Sequence, residues 1–387
     1  MPTKLDGWKE YELGQLLNYE QPSPYIVKST NYSDTYSTPV LTAGKSFIIG
    51  YTDETVGIYN SLPVIIFDDF TTSSQYVNFP FKVKSSAMKI LSPNVDLVLP
   101  KFIYYRMQII QFDHSTHKRY WIQQYSKIKV QIPSIPEQER IVSKIEELFS
   151  RLDASVAELQ TAKEKLKVYR QAVLKEAFDS VQVNSPKVTI KSVCDAIKVG
   201  IVVKPTQYYV SQGGVLAFRN ANVRRNHIED KDWAMISHEG HLRNLKSQVH
   251  KDDVLIARSG VNLGMAAAVP PKYDGYNAID VVIAVPKKEF ILPRYLAQYT
   301  NSPYGLEIVK RNQHGAAQGH LNVKEYGNLP IFLPDIQEQY HLLEKIESRL
   351  SVCDSIDQTI DASLQQAEAL RQSILKQAFE GRLIDAF

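Results

Sequence analysis

Residues 134–178, SIPEQERIVSKIEELFSRLDASVAELQTAKEKLKVYRQAVLKEAF, decide how this chain is organised. Ser134-x-x-Glu137 is a capping-box spacing, in which the cap oxygen accepts a free backbone N–H and the glutamate reaches back. From Gln138 to Phe178 there is neither Gly nor Pro. A 3–4 spacing of largely apolar residues runs Ile141, Ile145, Leu148, Leu152, Ser155, Leu159, Ala162, Leu166, Tyr169, Val173. That is the seam of a coiled coil. About 40 helical residues at 1.5 Å each span roughly 60 Å.

The same segment is written twice. Residues 128–178 and 329–379 align without a gap at an offset of 201, with 15 of 51 pairs identical. Pro133, Ile135 and Glu137-Gln138 recur as Pro334, Ile336 and Glu338-Gln339; Arg170-Gln171 recurs as Arg371-Gln372, and LKEAF as LKQAF. Asp335-x-x-Glu338 is the second capping box. The second seam runs Leu342, Ile346, Arg349, Cys353, Ile356, Ile360, Ser363, Ala367, Leu370, Ile374. Two such helices in one chain, with a folded block between them, predict an intramolecular antiparallel pair with the blocks at its opposite ends. Packing of each helix on its own block, or pairing between chains, are the alternatives.

Four segments follow: a first block over 1–133, a first long helix over 134–182, a second block over 183–333 and a second long helix over 334–387. The blocks read as α+β, with short β-rich runs at Val64–Phe67, Val215–Phe218, Val254–Ala257 and Val281–Val285 between turn residues. Each block carries a matching short helical piece, LPKFIYY (Leu99–Tyr105) and LPRYLAQY (Leu292–Tyr299). The expected fold is therefore two globular α/β-mixed blocks separated by a pair of long antiparallel coiled-coil helices with pseudo-two-fold symmetry. The length of 387 residues suits two or three domains, and 44% hydrophobic residues exclude collagen-like and disordered classes. Two distant cysteines, Cys194 and Cys353, build no disulfide framework or zinc cluster and fit a reducing cytoplasm. The first residues show no apolar signal region, and no stretch approaches 18 apolar residues, so neither a signal peptide nor a membrane span is expected.

The net charge of +3 hides a distribution: +1 over 1–128, +1 over 129–187, +6 over 188–328 and −5 over 329–387. A basic second block is the footprint expected of phosphate contact, and an acidic helix is not. Candidate contacts lie in polar and basic loops. In the second block these are Arg219, Asn220 and Asn222 after VLAF, then Arg258, Ser259 and Asn262 after VLIA, and Gln313, His314 and Gln318 among small residues. Arg and Asn are the side chains that pair bidentately with guanine and adenine edges. In the first block, Lys45, Thr71, Thr72, Gln75, His117, Lys118, Arg119 and Tyr120 have the same character. Each has a bland alternative as a solvated loop residue or an internal hydrogen bond, and Arg258 has Asp252, Asp253 or Asp280 as a structural partner.

Catalytic constellations are absent from the sequence. There is no G-x-x-x-x-G-K-[ST], no G-x-G-x-x-G opening a helix, no N-P-P-[FY] or D-P-P-Y, and no H-x-x-x-H or H-E-x-x-H. Asp68-Asp69 is either a turn or a pair of metal ligands, and the turn is the commoner use. No metal site is expected. A degenerate methyltransferase or endonuclease, or an assembly protein with no role at DNA, are the rival classes.

The two-block layout, the L/I-P-x-I-x-E-Q entrance to each long helix and the R-Q-x-x-L-K-x-A-F exit resemble the specificity subunits of type I restriction–modification systems. DVLIARSG (Asp253–Gly260), the run from Gly315 to Pro334 and LPVIIFDDFT (Leu62–Thr71) are similar to that family's target-recognition domains. The first block has Lys118-Arg119-Tyr120-Trp121-Ile122 where the second has the family's Gly-x-x-Gln-x-x-Leu wording. The resemblance implies a non-catalytic reader of double-stranded DNA. Each recognition domain would bind one half of a split asymmetric target, with the helix pair as spacer. It implies no cofactor in this chain, two methyltransferase subunits that carry S-adenosylmethionine and methylate adenine, and a motor-nuclease subunit that joins them to cut unmodified DNA.

Overall fold

The computed structural model describes residues 7–42, 46–113, 119–311 and 320–383. It consists of two compact units, Met1–Leu159 with Asp361–Phe387, and Gln160–Ile360.

In the first unit the chain runs β1 (Lys9–Glu12), α1 (Leu13–Leu16), β2 (Leu17–Glu20), β3 (Thr38–Leu41), β4 (Ile48–Thr52), β5 (Val64–Asp68), β6 (Ser74–Val77), β7 (Lys82–Val83) and β8 (Met88–Pro93). Then come α2 (Pro100–Met107), β9 (Lys129–Ile132) and the long helix α3 (Ile135–Gln182). Strands β2-β8-β5-β6 form an antiparallel sheet. A second sheet is ordered β4-β3-β7, with β3 antiparallel to β4 and parallel to β7. The ends of the block close as a two-stranded ladder, β1 on β9, in which Lys9 faces Ile132.

The second unit repeats this design. Its elements are β10 (Lys187–Thr189), β11 (Cys194–Val199), β12 (Val215–Phe218), β13 (Ala234–Ile236), α4 (His238–Arg243), β14 (Val254–Ala257), β15 (Ala266–Ala268), β16 (Asn277–Ala278) and β17 (Val281–Pro286). They continue as α5 (Pro293–Asn301), α6 (Pro303–Arg311), α7 (Val323–Gly327), β18 (Pro330–Phe332) and the second long helix α8 (Ile336–Phe379). Sheet β11-β17-β14-β15 matches β2-β8-β5-β6, sheet β13-β12-β16 matches β4-β3-β7, and β10 pairs with β18 as β1 does with β9. The matching even includes one parallel pairing, β12 with β16.

Strands β5 and β14 are apolar over Val64–Phe67 and Val254–Ala257 because both faces are covered. In β5, Ile65 and Phe67 point into one core and Val64 and Ile66 into another. In β14, Val254 and Ile256 face one core, Leu255 and Ala257 the other. This is the two-residue alternation of a pleated strand. One core of each unit takes in the short helix and both long ones. In the first unit, Phe102 of α2 packs with Ile141 and Ile145 of α3 and with Ile374 and Phe379 of α8. In the second, Tyr295 and Tyr299 of α5 pack with Phe178 of α3 and Ile346 of α8. The start of one long helix thus meets the end of the other inside each unit.

Ion pairs fix the helix register. In the second unit Lys163 faces Asp357 (3.7 Å), Arg170 faces Asp354 (2.6 Å) and Glu176 faces Arg349 (2.7 Å). Residue numbers rise on α3 as they fall on α8, so the helices run antiparallel. In the first unit Arg371, the repeat counterpart of Arg170, pairs with Asp153, and its guanidinium lies 4.4 Å from the Phe149 ring centre. Of the seam, Ile141, Ile145, Leu166, Leu342, Ile346, Ile360 and Ile374 are buried, and Leu148, Leu152 and Leu159 are half-buried. Ile356 and Leu370 are exposed, because two helices in contact cover only a narrow stripe of each surface.

The entrance motif has a specific use. Asp335 Oδ1 accepts the Glu338 N–H at 2.8 Å, a helix cap. At the first copy the N–H groups of Glu137 and Gln138 go to the Ser134 carbonyl, and the Glu137 carboxylate accepts the Trp8 indole N–H instead of reaching back. Gln138 and Gln339 are fully buried and tie each long helix to the short helix of its own block. Among the described residues no helix is long and apolar enough to cross a membrane.

Candidate nucleic-acid interface

In the second unit the polar loops after β12 and β14 meet at one place. Asn220 Oδ1 accepts the Arg258 N–H (2.8 Å), and its Nδ2 donates to Ser259 Oγ (2.9 Å) and Asp280 (3.4 Å). Asn262 Nδ2 donates to the Asn220 carbonyl at 2.9 Å. Asp280 sits at a positive φ of 53° between β16 and β17. Its carboxylate receives Ser259 Oγ–H (3.3 Å) and faces Arg258 Nη1 at 3.3 Å and His320 Nε2 at 3.8 Å. Of the three acids that could partner Arg258, the structure selects Asp280. Asp252 pairs with Lys288, and Asp253 accepts the His250 N–H.

The loop 219–233 is braced from within. Asn222 accepts the Arg219 N–H (2.9 Å) and donates to the carbonyls of Glu229 and Lys231. Arg219 Nη2 donates to the Asp232 carbonyl. At the end of the loop, Trp233 packs edge-on against Phe218 and Tyr276 and tilted against Tyr273, and donates its indole N–H to Asp230. Hydrogen bonds from Lys272 and Trp233 hold the Asp230 carboxyl down at about 2. The Nε groups of Arg219 and Arg258 are buried without a hydrogen-bond partner.

In the first unit the equivalent loops use different chemistry. Asp68 Oδ1 accepts the N–H groups of Phe70 and Thr71, and the Asp68 carbonyl accepts that of Thr72 (φ 57°), so Asp68 builds the turn from β5 to β6. Asp69 accepts the Trp121 N–H at 2.8 Å and pairs with Lys89 at 3.3 Å, both side chains being at most 2% exposed. The Asp69 carbonyl accepts the Tyr120 N–H, as the Arg258 carbonyl accepts the Leu321 N–H. Tyr120 and Leu321 stand 201 residues apart, so the repeat reaches into the blocks. At this shared junction one unit places a buried carboxylate with a lysine partner, and the other an arginine with an aspartate partner.

Several expected contacts are therefore inward-facing. Tyr120, Asn222 and Asn262 are buried, because their ring or amide completes the packing and hydrogen bonding of the loop itself. Asn220 serves the same brace and is only half-buried. Thr71, Gln75 and Arg119 are exposed, and Thr72, Arg219, Arg258 and Ser259 are half-buried. Lys45, His117, Lys118, Gln313, His314 and Gln318 lie outside the described residues. Lys89 escaped sequence reasoning, since a lone lysine carries no motif; Asp69 was read only as half of an acidic pair and Leu321 only as the end of the Gly-x-x-Gln-x-x-Leu wording, and the 201-residue offset is what sets Leu321 opposite Tyr120. Among the described residues no group of three or more His, Cys, Asp and Glu could hold a metal.

A family model described as the type I restriction modification DNA specificity domain matches residues 5–164. The type I restriction enzyme EcoR124I/EcoR124II specificity subunit of Escherichia coli is 32% identical over 375 residues, 93% of this chain and 90% of that one. The chain belongs to the type I specificity-subunit family. The type I restriction enzyme EcoBI specificity subunit of Escherichia coli is 27% identical over 274 residues, which span 65% of this chain and 58% of that protein. Among solved structures, a chain from work on assembly and conformational transition of the type I R-M system matches with a TM-score of 0.70 at 18% identity, over 99% of this chain and all of that one. The fold of a specificity subunit, two mixed blocks and a pair of long helices, is thereby shown.

Proposed function

We propose that this specificity subunit reads a bipartite, asymmetric duplex target, one half per block. The exposed or half-buried Thr71, Thr72, Gln75, Arg119, Arg219, Arg258 and Ser259 contribute contacts, together with Lys45, His117, Lys118, Gln313, His314 and Gln318. Asn220, Asn222, Asn262 and Tyr120 hold those loops in shape. The long helices set the unread gap and dock two methyltransferase subunits, which bind S-adenosylmethionine and methylate an adenine in the target. A motor-nuclease subunit joins the assembly to cleave unmodified DNA in the cytoplasm, and the chain itself performs no catalysis.

The observation that carries this reading is the shared junction of the two blocks. Its backbone hydrogen bond is the same in both, while the ion pair beside it is Asp69–Lys89 in one and Arg258–Asp280 in the other. One backbone frame that carries a buried ion pair in one block and a partly exposed one in the other suits two unlike half-sites. Selection from a random duplex library by the chain with its methyltransferase partners tests it. Enrichment of two short conserved elements around a fixed gap is the expected result, and a single uninterrupted element or no enrichment refutes it. The purified chain alone, given S-adenosylmethionine and genomic DNA, should transfer no methyl groups.

A further inference from the structure

The turn Arg258–Met265 is built inside out. Gly260, at φ +71°, reverses the chain, and the turn closes through Leu263 N–H to the Gly260 carbonyl and Met265 N–H to the Asn262 carbonyl. Its polar side chains face the body of the block: Arg258 and Ser259 toward Asp280, Asn262 toward the Asn220 carbonyl. Its aliphatic tip, Val261, faces outward and is 98% exposed. A single exposed hydrophobe is ordinary. A loop that turns its amide inward and its valine outward reverses the arrangement that water favours. The equivalent turn of the first unit does the same, with the Asp68 carboxylate turned in and Phe70 42% exposed.

The backbone on either side of Val261 is hydrogen-bonded into the block. The braces from Asn220 and Asn262 fix the backbone, and a β-branched side chain has little rotamer freedom left to lose. Its neighbours Arg258 and Ser259 are half-buried and are among the residues proposed above to contact the duplex. In the major groove the apolar feature of a base edge is the C5 methyl of thymine.

We propose that Val261 is a specificity-determining residue that packs on the C5 methyl group of a thymine in the half-site read by the second unit. This rests on the reading of the chain as a bipartite DNA reader. Because Val261 is 98% exposed, Val261→Ala should leave the fold intact, with a melting temperature equal to that of wild type.

The test uses the complex with methyltransferase subunits on its enriched target, with each thymine replaced in turn by deoxyuridine. Wild type should bind roughly fourfold more weakly at one position, the factor expected for loss of one buried methyl group. Val261→Ala should bind the thymine and uracil duplexes equally at that position and keep wild-type responses in the other half-site, while Val261→Ile should retain the preference. A target with no sensitive thymine, or a Val261→Ala complex with the wild-type preference, overturns the proposal. Failure of the wild-type complex to enrich any bipartite target would instead refute the underlying function.

Discussion

The side-chain oxygen of Gln339 accepts the backbone N–H of Leu292 at 2.9 Å, while its Nε2 donates to the carbonyls of Phe290 and Pro334. Gln138 makes the same three bonds, to Leu99, Leu97 and Pro133. One amide in each unit thus joins the start of a long helix to the start of a block's short helix. Replacing Gln339 by Ala removes the partner of the Leu292 N–H and of the Phe290 and Pro334 carbonyls and should cost about 1–3 kcal/mol in urea unfolding. Gln339→Glu should cost more, because a carboxylate would face two carbonyl oxygens.

The Asp69–Lys89 pair is enclosed on all sides. Lys89→Met strands a buried carboxylate and should destabilise the first unit by about 3–5 kcal/mol, read from chemical denaturation. Asp69→Asn keeps an oxygen for the Trp121 N–H but strands the ammonium, and should also destabilise. No comparable loss is expected from Lys288→Met, whose pair with Asp252 is exposed.

Arg170 and Asp354 pair at the helix contact, where water reaches both. Each single charge reversal should cost about 0.2–1 kcal/mol, and the exchange of both charges should restore only part of it in a double-mutant cycle, because Asp357 also lies 3.8 Å from Arg170. In concentrated salt the coupling should shrink.

Burial pushes the Cys194 thiol up to about 12 from 9.0, with Asp195 adding to the shift. The folded chain therefore holds this proton more tightly than the unfolded chain, and its contribution to stability is lost as pH rises from about 9 toward 12. Cys194→Ala should gain on wild type across that window in paired denaturation curves. Under native conditions at pH 8 a thiol reagent should label neither Cys194 nor Cys353, both buried, until the chain unfolds.

If the helices are the ruler, a matched insertion of seven residues in α3 and α8 should lengthen the unread gap. Seven residues add roughly 10 Å, about three base pairs of duplex, with both half-sites unchanged. Sequencing the targets enriched by the altered complex measures this directly.

The long helices were legible because their signal is local and repeated: caps, absent Gly and Pro, and a seam of Ile and Leu over forty residues. The strands Val64–Asp68, Val254–Ala257 and Val281–Pro286 were legible from their apolar runs. Strands such as Lys82–Val83 and Asn277–Ala278 were not, since a two-residue strand is defined by its neighbours. The loops were legible in composition and not in direction. Asn220, Asn222 and Asn262 have the chemistry of base readers, yet their amides are used inside the block, Asn222 within its own loop and Asn220 and Asn262 in joining that loop to the turn around Gly260. Lys82 shows the same limit: it looks like a surface charge in sequence, but is buried against Glu54 and the carbonyls of Val56 and Gly57.

The two small ladders, β1 on β9 and β10 on β18, bring the first and last strands of each block side by side, Lys9 across from Ile132 and Lys187 across from Phe332. The second block, which lies between the two long helices, therefore leaves and rejoins the frame at a single doorway. A foreign block whose ends arrive in register there, and which offers a Leu-Pro turn to the waiting glutamine, can be exchanged as a cassette without altering the helix it joins. New targets then become a matter of recombination at two short strands, with no need to redesign the frame.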